Sequence, residues 1–67
     1  MKMKPNPDII HERRNRALRY VKDEIERGDM YDRQRVVADM NDAKHPWETY
    51  EQIIDAIEHA EEDLGVV

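Results

Sequence analysis

Apolar residues recur along this chain at steps of three and four, and most of the positions between them are charged. That step keeps one side of a 3.6-residue helix apolar and leaves the other to water. The clearest run is Pro46–Leu64, where Trp47, Tyr50, Ile53/Ile54, Ile57, Ala60 and Leu64 share a side and acids fill the opposite one. Because it also holds the only tryptophan, the core is expected to form on it. An earlier run places Ile10, Ala17/Leu18, Val21 and Ile25 on one stripe, interrupted at Arg14. Between the two lie Met30, Val36/Val37, Met40 and Ala43.

Punctuation divides these runs into helices of about 7–27, 30–43 and 46–64. Asn6 can cap the first, Pro7 suits its first position, and Asp8 favours the positive end of the dipole. Gly28 is the expected left-handed stop. Asp29 reads as the cap of the second helix, with Asp32 three residues on in the manner of a weakened capping box. His45 precedes a proline and is biased away from helix, Pro46 reads as the start of the third, and Gly65 ends it. The expected fold is all-α: a small three-helix bundle forming one domain over residues 7–65, behind a mobile basic lead-in at 1–6. The expected core is Ile10, Leu18, Val21, Ile25, Val37, Met40, Trp47, Tyr50, Ile54, Ile57 and Leu64. No internal repeat, low-complexity tract or β-hairpin pattern competes with this reading.

A chain of 67 residues buries only about 60% of its unfolded surface, so its stability is thin and a partner or a second copy could add to it. Charge adds a further feature. Residues 1–22 carry seven bases against two acids, and residues 23–67 carry four bases against fourteen acids. The two stretches are +5 and −10 within a net charge of −5. Such segregation suits intramolecular pairing, head-to-tail association or a charged partner.

The chemical inventory is narrow. There is no Cys and no Ser, the only glycines are Gly28 and Gly65, and Thr49 is the only aliphatic hydroxyl. Nucleophile–His–acid arrangements and phosphate-cradling loops therefore lack their parts. Asp55, His59 and Glu62 share a helix face at metal-ligand spacing, but one imidazole among exposed carboxylates is commonly a solvated polar face. Glu61-Glu62-Asp63 reads as a solvent-facing run that opposes the helix dipole. Neither a metal nor a cofactor is expected, and the chain reads as non-enzymatic.

Three binding readings follow. The first is a protein-interaction or regulatory module, binding a partner protein or itself as a homodimer through charged amphipathic faces. Its candidate contacts are Arg13, Arg14, Arg16, Arg19, Glu51, Asp55 and Glu58, with Tyr20 and Tyr31 off the main stripes. The second is a nucleic-acid-binding regulator that uses the arginines of helix one. The alternative of inserting helix three into DNA fails on its acids, which phosphates would repel. The third is an acidic nucleic-acid mimic built on Glu51, Asp55 and Glu58. No stretch approaches the about 20 apolar residues of a membrane span, and the basic start has no apolar run behind it, so the expected place is the cytoplasm. Size and composition suit small bacterial or phage regulatory proteins, and no motif points to a particular family.

Overall fold

The computed structural model of the chain describes residues 7–28 and 30–66, and it forms an all-α three-helix bundle. The helices are α1 (Pro7–Glu26), α2 (Arg33–Asp42) and α3 (Tyr50–Leu64), and no strand occurs among the described residues. The lead-in at 1–6, the Asn6 cap and the Asp29 cap lie outside those residues.

Chain direction follows from the contacts. Arg13 and Arg16, early in α1, reach Glu48 just before α3. Glu24 near the end of α1 and Glu61 near the end of α3 both meet residues at the start of α2. Thus α1 and α3 run the same way and α2 returns between their ends. Gly28 takes the left-handed φ of 87° that turns the chain out of α1.

Both later helices start farther along than the sequence suggests. Asp32 caps α2: its carboxylate accepts from the Gln34 amide at 3.1 Å. Thr49 caps α3, and Gln52 returns the bond to the Thr49 amide, closing a capping box. Pro46 therefore sits in a turn, closed by the Glu48 amide donating to the His45 carbonyl at 3.0 Å. At the far end of α3 the amides of Gly65 and Val66 return to the carbonyls of Glu62 and Glu61, with Gly65 at φ 73°. This pair of bonds is the Schellman stop that only a left-handed residue completes.

The core is smaller-grained than expected. Its buried apolar residues are Ala17 and Val21 of α1, Val36, Val37 and Met40 of α2, and Ile53, Ala56, Ile57 and Ala60 of α3. Three alanines let helix backbones approach closely, which leaves no room for aromatics between them. Trp47 and Tyr50, assigned to the core from sequence, are instead 62% and 56% exposed. The cause is the late start of α3. Trp47 belongs to the turn and stacks on His45, with ring centroids 4.4 Å apart. Ile10, Ile25 and Leu64, also assigned to the core, lie exposed at the ends of their helices, whereas Leu18 and Ile54 are half-buried against it.

Candidate partner-binding site

Sorting the acids by burial defines the outer surface. Three glutamates are inside: Glu24, Glu48 and Glu61 are 3%, 2% and 1% exposed. A buried carboxylate is costly unless paired and hydrogen-bonded. Glu48 is served from three directions. Its Oε2 accepts from Arg13 Nε at 2.9 Å and Arg16 Nη2 at 2.5 Å, and its Oε1 accepts from the His45 amide at 2.9 Å. Burial alone would raise its pKa; the amide and the two guanidiniums outweigh burial and lower it to about 2. Arg16 also donates to Glu12 at 3.0 Å. Burial works against its charge, but the two carboxylates prevail and raise its pKa.

Glu61 is held as a fork. Arg33 Nε donates to Oε2 at 2.9 Å while Arg33 Nη2 donates to Oε1, and the Tyr31 hydroxyl donates to Oε2 at 2.5 Å. The guanidinium lowers the Glu61 pKa against the opposing effect of burial, with the Tyr31 hydrogen bond assisting. Tyr31 is raised, first by its own burial and then by holding its proton toward Glu61. This corrects the reading of Glu61 as solvent-facing; Glu62 and Asp63 beside it are exposed. Arg33 also offsets the dipole cost of an acid in the last turn of α3.

The other acids of α3 face outward. Glu51, Asp55, Glu58 and Glu62 are exposed and fall within an arc of about 60° at 100° per residue. Residues 50–64 contain no Lys or Arg to neutralise them. Asp55 has a local partner in His59, whose Nδ1 donates to the Asp55 carbonyl at 3.0 Å and lies 3.7 Å from its carboxylate. Arg14 Nη2 donates to His59 Nε2 at 3.4 Å. Among the described residues, no three His, Asp or Glu side chains converge as a metal-binding group.

Beside this acidic arc runs a groove of about 440 Å³ between α2 and α3. From α2 it is lined by Arg33, Gln34, Val37, Ala38 and Asn41, and from α3 by Tyr50 and Ile54. Its floor is apolar, Gln34 and Asn41 on its α2 edge are uncharged, and Arg33, paired with Glu61, stands at one end. Asn41 Oδ1 is buried without a hydrogen-bond donor.

The residues singled out from sequence therefore separate. Glu51, Asp55 and Glu58 come together on one exposed arc. Arg13 and Arg16 are turned inward to Glu48, Arg14 reaches His59, and Arg19 is exposed on α1. Tyr20 packs against the core, and Tyr31 is tied to Glu61. Sequence reasoning missed Gln34, Ala38 and Asn41, although their spacing of four and three already puts them on one face of α2. Compared with family models, curated proteins and solved structures, the chain gives no significant match.

Proposed function

We propose that this protein is a non-enzymatic interaction module that binds a partner protein through the α2/α3 groove and the acidic arc beside it. The observation that carries the reading is the juxtaposition of an open apolar groove with exposed carboxylates that form no ion pair with an arginine among the described residues. Unspent charge next to a concave apolar floor is the anatomy of a recognition surface. The acids with shifted pKa values support the same conclusion. Glu48 and Glu61 are both lowered and tied to arginines, so they are poor proton donors near neutral pH.

The exposure of Glu51, Asp55 and Glu58, none of them bonded to the arginines of α1, also favours the mimic reading, in which the partner is itself a nucleic-acid-binding protein. Nucleic-acid contact by α1 is less well supported, because two of its four candidate arginines already hold Glu48. A pull-down from the native host tests the proposal. The wild-type chain should retain a protein that the Glu51→Lys/Asp55→Lys/Glu58→Lys chain loses. Identical retention by both sinks it, and displacement of the partner by DNA would identify the mimic.

A further inference from the structure

We propose that the occupant of the α2/α3 groove is a basic amphipathic helix of the partner; this rests on the partner-binding reading above and specifies the partner's chemistry. The groove runs along two antiparallel helices, so a third helix can lay its side-chain ridge between them. Tyr50 and Ile54 sit one turn apart on the α3 wall, which matches apolar anchors at i and i+4 on an incoming helix. The two edges differ. On α3, Glu58 and Glu51 flank Ile54, within about 60° of it at 100° per residue, and the α2 edge presents the uncharged Gln34 and Asn41, with Arg33 at one end already paired to Glu61. A helix with apolar anchors and Lys or Arg on one flank complements both. Tyr50, more than half exposed at the rim, offers its ring to such a cation.

Competing occupants fit less well. A nucleic acid would meet the acidic arc with its phosphates. An extended strand needs a free sheet edge, and the described residues have none. A second copy would have to offer α1, the base-rich helix. Its apolar stripe of Ala17 and Val21 is already buried, and its outer side mixes Arg19 and Lys22 with Asp23 and Glu26.

The test uses a labelled synthetic helix of about four turns, with leucines at i, i+4 and i+7 and arginines along one flank. Its controls are the same peptide with glutamate for arginine, and one with the leucine spacing scrambled. Anisotropy should give a Kd on the order of micromolar at low salt, weakening as ionic strength rises. Ala38→Arg, at an exposed helical position, and Glu51→Lys/Glu58→Lys should each weaken binding by about tenfold or more. Amide shifts should centre on Val37, Ala38 and Ile54. Equal binding of the acidic or scrambled peptide, or shifts centred elsewhere, would overturn the inference. So would a dimer in sedimentation that protects Ala38, which would give the groove to a second copy. A photo-crosslinker at Ala38 in the native host separates the two levels. A partner caught there and lost with Glu51→Lys/Glu58→Lys, alongside a basic peptide that fails to bind, leaves the module and removes the basic helix. No capture and no peptide binding removes both.

Discussion

Two sets of carboxylates on this molecule have nearly opposite fates. Glu48 and Glu61 are swallowed by the bundle, each gripped by arginine and lowered in pKa. Glu51, Asp55 and Glu58, all on α3, stand exposed with no arginine in ion-pair contact among the described residues. The difference lies in which arginines reach them. Arg13, Arg16 and Arg33 are aimed at the interior acids, so charge on the inner side of α3 is spent on folding. Charge on its outer side is left over. Glu24 is an intermediate case: it is buried, but Arg35 and Arg27 approach only to 3.7 and 3.8 Å, and its Oε2 has no hydrogen bond.

Removing the arginines from Glu48 should break this contrast most severely. Arg13→Ala/Arg16→Ala strands a buried charge and should cost about 3–5 kcal/mol. A domain of this size has on the order of 3–10 kcal/mol in all, so thermal unfolding should show a large loss of Tm or no folded baseline. These two substitutions are therefore unsuitable for testing nucleic-acid contact; Arg14→Ala/Arg19→Ala is the better pair. A drop no larger than that of a surface substitution would show that the Glu48 grip contributes little.

Acid should act next. The Glu48 pKa falls from 4.5 in the unfolded chain to about 2 in the bundle. A depressed pKa gives stability that is complete above the unfolded value and is lost as pH falls through the folded one. Up to about 3 kcal/mol should disappear between about pH 5 and pH 2. Denaturant midpoints measured across that window should slide downward in the wild type, and the slope should flatten in Glu48→Gln.

Glu24 sharpens the comparison by an effect of smaller size and opposite sign. An imperfectly satisfied buried acid is often better replaced, so Glu24→Met should leave stability unchanged or raise it by about 1 kcal/mol. A loss of several kcal/mol would place Glu24 with Glu48. Last, Glu51→Gln/Asp55→Gln/Glu58→Gln should change stability by no more than about 0.5 kcal/mol per site. Circular dichroism melts of the triple variant would expose any hidden structural role for the outer arc.

Periodicity and punctuation made the three helices readable, because Gly28 and Gly65 do end their helices in left-handed turns. The starts were harder. Pro46 is a good local opener, yet Thr49 with Gln52 takes that role for α3, and α2 opens at Asp32 with the Gln34 amide. That shift of a few residues moved Trp47 from core to surface. The inward glutamates were partly legible. Glu61 lies four residues after Ile57 and Glu24 three after Val21, so each falls on its helix's apolar stripe. Residue type argued against burial, and only the arginines from distant helices reverse that argument. Glu48 lies off any apolar stripe, and the arginines that hold it are 32 and 35 residues away; only its contact with the His45 amide is local. The outer arc was legible as a row of acids, whereas the groove beside it needed α2 and α3 brought side by side.

The stacking of Trp47 on His45 has an optical consequence. The molecule's single indole reports from an outer ledge, while the interior of alanine, valine, isoleucine and methionine is silent in the near ultraviolet. Emission from the native fold should already resemble that of indole in water, and a fluorescence melt would follow the loosening of one turn. Because that turn carries Glu48 as the next residue, the dye nature supplied is seated on the clasp instead of in the chamber it closes.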